Sequence, residues 1–143
     1  MNQEIYEKAI KLLTVRQHAT GELQRKLQAK GFRPNEILLV LRRLEELKFL
    51  DDQRFAEIFV ENLKRYKDWG YYGIKAKLAA RLVPSDIAAA ALAEFFTPED
   101  ETRVAERLAI KLKRQGKSSY EKLARAMTAR GFRSEVIRQT LQS

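Results

Sequence analysis

The sequence predicts an all-α protein made of three tandem three-helix repeats of about 50 residues, which together form an elongated, curved body. The stretch KLQAKGFRPNEI at residues 26–37 returns as AMTARGFRSEVI at residues 126–137. A weaker third copy lies halfway between them, and apolar residues recur at helical spacing along the chain. Self-similarity at this period is typical of stacked supersecondary units, so we expect nine helices and no strand.

The repeat predicts three units, at residues 1–50, 51–97 and 98–143, which form one continuous repeat domain. Equivalent positions in the outer two units carry the same or similar residues: Leu23, Leu27, Ala29, Gly31, Phe32, Arg33, Ile37 and Leu41 match Leu123, Met127, Ala129, Gly131, Phe132, Arg133, Ile137 and Leu141. In the middle unit, Ile74, Leu78 and Val83 take the places of Leu23, Leu27 and Phe32, and Ile87 takes that of Ile37 after a one-residue deletion.

Each unit begins with a long amphipathic helix, in which Ala9, Ala56 and Ala105 are equivalent and allow close packing. A short second helix follows at about 20–30, 72–82 and 119–130. The third helix opens with Pro34, which suits a first turn, or with Ser85 or Ser134, which we expect to act as caps.

Four residues are expected to shape the helix ends of the outer units. Gly31 and Gly131 stop the second helix as left-handed residues. Phe32 and Phe132 follow them and are expected to pack back onto that helix. In the middle unit, Leu82 stands at the equivalent place.

The adjacent Asp51 and Asp52 are interpreted as a structural pair at the start of a helix. Asp51 can accept hydrogen bonds from the first turn, and Asp52 complements the helix dipole. A metal or acid–base pair is rejected because no histidine or further acidic residue stands at convergent spacing.

Composition excludes several function classes. The chain has no cysteine and a single histidine, His18, which rules out disulfides, thiolate nucleophiles and Cys/His zinc sites. His18 lacks the partners of a catalytic base, and Gly70 and Gly73 lack the spacing of a phosphate-binding loop. No signal peptide or membrane-length apolar run is present, so we expect a cytoplasmic protein with no cofactor, no metal and no membrane contact.

A net charge of +9 predicts an anionic partner. The excess lies at the two ends of the chain, because residues 51–97 carry seven basic and seven acidic side chains. Even so, the middle unit interleaves cations with aromatic residues around Tyr72, and the third unit carries a basic stripe. The candidate partner- or DNA-binding residues are Lys64, Arg65, Lys67, Trp69, Tyr71, Lys75, Lys77, Arg107, Lys111, Arg114 and Lys117. Trp69 fits a core position between repeats equally well.

Four segments occur in order along the chain: LLTVRQHATGELQRKLQAKGF at residues 12–32, FLDDQRFAEIFV at 49–60, GYYGIKAKL at 70–78 and RGF at 130–132. Together they resemble the RecX family, regulators of the RecA recombinase. The sequence departs from the family pattern at Ala19, where Ser or Thr is usual and Thr20 could cap instead, at Leu82, where glycine is common, and in having Trp69 before Gly70.

Two functions follow from these observations. The resemblance implies a monomeric, non-enzymatic modulator that lies in the groove of a RecA–DNA filament and suppresses recombinase, ATPase and repressor-cleavage activities, with DNA contact through the basic surface left open. The alternative is a DNA-binding regulator, because the helix–turn–helix at Gly31 resembles that motif. The third helix, NEILLVLRRLEEL at residues 35–47, is apolar at seven positions and is expected to be packed, which argues against base reading.

Overall fold

The computed structural model describes residues 1–142, and over that range it contains nine α-helices and no strand. The helices are α1 (Gln3–Val15), α2 (Thr20–Ala29), α3 (Pro34–Glu46), α4 (Asp52–Tyr66), α5 (Tyr71–Ala80), α6 (Ser85–Phe95), α7 (Pro98–Arg114), α8 (Tyr120–Ala129) and α9 (Ser134–Gln142). The predicted fold class is therefore confirmed, while the repeat boundaries after residues 50 and 97 stay a prediction. No helix within residues 1–142 is long and apolar enough to cross a membrane.

The first helix of every repeat begins with a side-chain cap. Asn2 Oδ1 accepts from the backbone N–H of Ile5 at 3.2 Å, and Asp51 Oδ1 accepts from that of Arg54 at 3.1 Å. In the third repeat, Thr97 and Asp100 cap each other reciprocally, at 3.2 and 3.0 Å. Each cap satisfies a backbone donor that a helix start leaves without an intrahelical partner.

The second helix of every repeat ends on a left-handed residue. The φ angles are +92° at Gly31, +61° at Leu82 and +82° at Gly131. Leu82 adopts this conformation although it carries a Cβ, and its side chain lies against Gly21, where an added Cβ would approach Leu82 Cβ to 3.0 Å. The leucine thus ends α5 as the glycines end α2 and α8, and it fills space between repeats.

Three expected caps differ from the structure. Thr20 is the first residue of α2, not its cap. The cap position belongs to Ala19, which is fully buried against the second repeat. Ser85 is likewise the first residue of α6, with Pro84 at the cap position and no capping side-chain bond, and Ser134 is the first residue of α9. Ala19 and Pro84 have ψ angles of 154° and 142° and already occupy the cap positions, so α2 and α6 start one position earlier than a threonine or serine cap requires.

The apolar side chains form two separate cores. The repeat-1 core contains residues of α1–α3 together with Leu50, and Ile5, Leu27 and Val40 are fully buried within it. The shared core extends through repeats 2 and 3, where Val60 and Met127 are fully buried, and Ala19 is its single buried member from the first repeat. Repeat 1 is thus packed chiefly on itself.

The third helix of repeat 1 is packed, as expected, but only one face of α3 is buried. Ile37, Val40, Leu41 and Leu44 are buried, but Leu38 and Leu39 are 46% and 52% exposed. A helix against one core can bury only one face, so apolar residues outside that stripe remain in solvent.

Two equivalent joints connect the repeats. In the first joint, Asp52 Oδ1 accepts from the backbone N–H of Thr20 at 2.7 Å. In the second joint, Glu101 Oε2 accepts from the backbone N–H of Tyr71 at 2.9 Å. In both joints the acceptor is the second residue of an acidic pair, Asp51–Asp52 or Asp100–Glu101, and the two pairs are equivalent in the repeat alignment. Its carboxylate accepts from a backbone N–H at the start of the second helix of the preceding repeat. Asp52 therefore accepts a hydrogen bond from the first residue of α2. Its position in the sequence, at the start of α4, does not predict this partner.

Candidate partner-binding surface

Most of the predicted surface residues lie in or near the short connection between α4 and α5, at the second joint. Asp68 lies in this connection and accepts from Arg107 Nε at 2.9 Å and from Lys111 Nζ at 2.6 Å. Burial alone would raise the pKa of Asp68, but the hydrogen bonds and positive charges of these two residues lower it below its ordinary value. Asp68 therefore stays ionised and fixes the connection against α7.

Arg107 also closes the end of α4. Its Nη2 donates to the carbonyl oxygens of Lys64 and Lys67, at 3.1 and 2.6 Å. Carbonyls in the last turn of a helix have no intrahelical donor, so the guanidinium takes the place of a C-terminal cap. Arg107 is thus part of the joint's internal structure as well as of the predicted basic surface.

Trp69 is half-buried and packs against the shared core. Lys77 Nζ lies 4.1 Å and the Arg130 guanidinium carbon 4.9 Å from the centroid of its ring, which places two cations within cation–π range. The core position considered for Trp69 has a basis in these contacts, whereas its role in binding a partner or DNA stays a prediction.

Tyr71 and the neighbouring Glu101 form the buried part of this site. Glu101 is fully buried and accepts from the Tyr71 N–H, from the Arg133 N–H at 3.0 Å and from Arg133 Nε at 2.6 Å. The Arg133 guanidinium carbon in turn lies 4.2 Å from the Tyr71 ring centroid. Tyr72 packs edge-on against Tyr71 and is 57% exposed, so it is the ring of this pair that faces solvent.

The predicted cations fall into two groups. Lys64 is held inside the chain by Glu61, by the Phe95 carbonyl at 2.9 Å and by Asp100 at 3.6 Å, and Arg107, Lys111 and Lys77 are engaged as described above. The second group is exposed and makes no ion pair within residues 1–142: Arg65, Lys67, Lys75, Arg114 and Lys117. Arg114 is the last residue of α7, about 10 Å along the helix from Arg107, and Lys117 lies in the connection after α7.

Sequence reasoning missed Glu101, Asp68 and Arg133 as members of this site. Repeat alignment could have found Glu101, because it stands one residue after Asp100, as Asp52 follows Asp51. Asp68 had no comparable signal, since its partners are about 40 residues away along the chain. Arg130 lies over the ring of Trp69, and that position depends on how repeats 2 and 3 pack.

Family comparisons complete this description. Residues 6–44 match the model of the first three-helix domain of RecX, and residues 51–92 match the model of its second three-helix domain. The chain is 37% identical to the regulatory protein RecX of Prosthecochloris aestuarii, over 94% of this chain and 89% of that protein. The chain belongs to the RecX family. The RecX protein of Chlorobaculum tepidum is 33% identical, over 94% of this chain and 84% of its own length.

Solved RecX structures share the whole fold, including the third repeat that neither domain model covers. The crystal structure of RecX from Lactobacillus salivarius superposes with a TM-score of 0.88 at 23% identity, covering 98% of this chain and 94% of that one. A second crystal structure of a regulatory protein RecX gives 0.89 at 21% identity, with 99% and 73% coverage. The three-repeat architecture is therefore that of RecX proteins, and the RecX resemblance found in the sequence is confirmed.

Proposed function

We propose that this RecX-family chain is a non-enzymatic inhibitor of the RecA recombinase that acts in the cytoplasm as a monomer. In this proposal it binds in the helical groove of the RecA–DNA filament and suppresses ATP hydrolysis, strand exchange and repressor cleavage in recombination, repair and the SOS response. The observation that carries the proposal is family membership over the whole chain, joined to a basic surface with unpaired cations.

The non-enzymatic part of the proposal is supported by the state of the single histidine. His18 is 2% exposed, its Nδ1 lies 2.9 Å from the Arg16 carbonyl, and its Nε2 lies 2.8 Å from Lys26 Nζ. Because Lys26 can only donate, Nε2 accepts and Nδ1 carries the proton. Both nitrogens of the ring are thus used internally, so it is not free to exchange protons with a substrate.

The filament-facing surface is proposed to lie at the second joint. Arg65, Lys67 and Lys75 are exposed there without internal ion pairs, and Tyr72 exposes its ring in the same part of the chain. Individually such charges contribute little, but several together steer and hold an acidic or phosphate-bearing wall. The internal ion pairs of Asp68 and Glu101 hold repeats 2 and 3 together. In this proposal, the two repeats can therefore contact successive protomers of the filament.

A triple charge reversal tests this proposal. Arg65→Glu, Lys67→Glu and Lys75→Glu together should weaken inhibition of RecA-dependent ATP hydrolysis and repressor cleavage, while leaving helicity and melting temperature nearly unchanged. Lys64 is left intact because its reversal would break the internal contacts with Phe95 and Asp100. Inhibition by the parent protein should also weaken with added salt.

The matched control reverses Lys8, Lys11 and Arg42, three exposed cations of repeat 1, and makes the same change in net charge. Inhibition equal to that of the parent by the Arg65, Lys67 and Lys75 variant at low salt would show that another face meets the filament. Equal losses in both variants would show that net charge alone, not a defined surface, accounts for inhibition.

A further inference from the structure

A cleft of about 580 Å³ lies at the first joint, on a part of the molecule that the proposed function does not use. Its apolar lining consists of Phe55, Ile58 and Phe59 on α4, and of Phe49 in the connection before α4. Phe49 and Ile58 are 48% and 47% exposed. Two large apolar side chains thus stand half in solvent beside a concave space, an arrangement typical of interaction sites.

The rim of the cleft is basic. Four cations line it, and each comes from a different part of the fold: Arg16 after α1, Lys48 after α3, Arg54 on α4 and Arg81 after α5. The single carboxylate in the lining, Asp51, is occupied as the cap of α4. The charges therefore surround the apolar lining and are not balanced within it.

Internal ion pairs account for only part of this charge. Arg16 and Arg81 share one carboxylate, that of Glu22, which lies 3.5 Å from Arg81 Nη1. Lys48 and Arg54 form no ion pair within the described part of the chain. At least two positive charges at the rim therefore have no internal counter-charge.

The cleft fits a peptide better than a nucleic acid. The Phe59 ring stacks with Phe55 at 5.7 Å and has the Arg81 guanidinium 5.5 Å from its centroid, which leaves little ring face for a base. The cations surround the space from four elements, whereas a phosphate backbone is followed by a row of charges. Gln17 and Asn62 add exposed amides that can hydrogen bond to a peptide main chain.

We propose that this first-joint cleft binds a short acidic segment of another protein, with one aromatic or large aliphatic side chain inserted against Phe49 and Ile58 and flanking carboxylates paired with Lys48 and Arg54. The inserted side chain removes exposed apolar surface from water, and the carboxylates supply the counter-charges that the chain itself lacks. This inference does not depend on the proposed function, because it rests on a different part of the molecule. Its test contains no RecA.

A labelled synthetic peptide of alternating Glu and Gly with one central Phe tests the proposal by fluorescence anisotropy on the full chain. We expect saturable binding that weakens on the order of tenfold in Phe49→Ala/Ile58→Ala and in Lys48→Glu/Arg54→Glu. The matched controls Ile110→Ala, at a 53% exposed site, and Lys113→Glu/Lys122→Glu, at two exposed sites outside the cleft and outside the proposed filament-facing surface, should bind as the parent does. Circular dichroism melting shows whether each variant folds.

Three results would overturn the proposal. They are absence of saturable binding, equal binding of a peptide in which Gly replaces the central Phe, and tighter binding of a single-stranded oligothymidylate that the same variants weaken. If a cleft variant fails to fold, amide NMR shifts of the parent decide the matter: the peptide must perturb residues around Phe49 and Ile58, and shifts confined to other surfaces would contradict the assigned site.

Discussion

Gly31 and Gly131 occupy equivalent positions but differ in what surrounds them. Both have φ near +90°, at +92° and +82°. A Cβ on Gly31 would meet no atom within 4 Å, whereas a Cβ on Gly131 would lie 2.1 Å from Gly73 N, inside the second joint. Gly31 thus provides only the left-handed conformation, whereas Gly131 also allows its backbone to approach that of Gly73 closely.

This difference predicts unequal costs for the same substitution. Gly31→Ala should lower the free energy of unfolding by about 1 kcal/mol, from the left-handed conformation alone. Gly131→Ala should cost at least about 3 kcal/mol, because the backbone of α5 must also move. Urea unfolding of both variants measures the difference. Equal losses would show that repeats 2 and 3 separate without cost at this contact.

His18 makes stability depend on pH near neutrality. Burial lowers its pKa, although the hydrogen bond with the Arg16 carbonyl acts in the opposite direction. A lowered pKa means that the folded chain prefers the neutral ring. Its stabilising contribution is therefore complete above the unfolded pKa of about 6.5 and is lost as the pH falls below that value.

We therefore expect the melting temperature to fall between about pH 7.5 and pH 5, and His18→Gln to flatten the profile over that range. The window isolates His18 because it is the single histidine in the chain. Carboxylates with lowered pKa values, such as Asp68 and Asp100, lose their contribution only at lower pH. A profile equally steep in the variant would assign the effect to another group.

At the scale of helices, the carboxylate of Glu101 connects three elements. It lies on α7, accepts from the first residue of α5 and pairs with Arg133 just before α9. Glu101→Ala leaves the Tyr71 N–H and the Arg133 guanidinium without their acceptor, so we expect a loss of roughly 3 kcal/mol or more. Glu106→Ala, at an exposed position on the same helix, is the control and should change the free energy of unfolding by less than about 0.5 kcal/mol.

Thermal and urea unfolding compare the two glutamate variants. A Glu101 variant as stable as the control would mean that solvent replaces the buried carboxylate without cost. It would also remove the reason for treating the second joint as a rigid connection.

Helix positions could be predicted from the sequence because their signals are local. Spacing of apolar residues, Asp51 at a helix start and Gly31 at a helix end all act within a few residues. The roles of the cations could not be predicted in this way. Lys64 and Lys67 are the same residue type and stand three residues apart, yet only Lys64 contacts Asp100 and the Phe95 carbonyl. That distinction depends on how repeats pack, which no local signal carries.

At the scale of the whole molecule, the two cores predict two units of stability. Val40 lies in the repeat-1 core and Val60 in the shared core, and both are fully buried. Val40→Ala should increase amide hydrogen exchange in α1–α3 and leave α4–α9 nearly unchanged, whereas Val60→Ala should have the opposite distribution. Each substitution should lower the free energy of unfolding of its own core by roughly 2 kcal/mol.

Amide hydrogen exchange is measured by mass spectrometry on both variants. Each variant is the control for the other, because the residue type and its burial are the same. Uniform acceleration along the chain in either variant would show that the repeats unfold as one unit. In that case the contacts of Ala19, Thr20 and Glu22 across the first joint would be strong enough to couple the two cores.

The carboxylates across the joints have a consequence for how such an array can be lengthened. The second helices of repeats 1 and 2 start after Ala19 and Gly70, residues without a side-chain acceptor, and receive one from Asp52 or Glu101 instead. In the third repeat, Ser119 Oγ caps α8 from within, at 3.2 Å from the Lys122 N–H. The connection therefore has a direction: repeats 1 and 2 each have a second helix without its own side-chain cap, and the following repeat supplies the carboxylate that accepts from it. An engineered fourth repeat placed after the third would need an acidic residue at the position equivalent to Asp52 and Glu101, and Ser119 would have to be replaced by alanine or glycine.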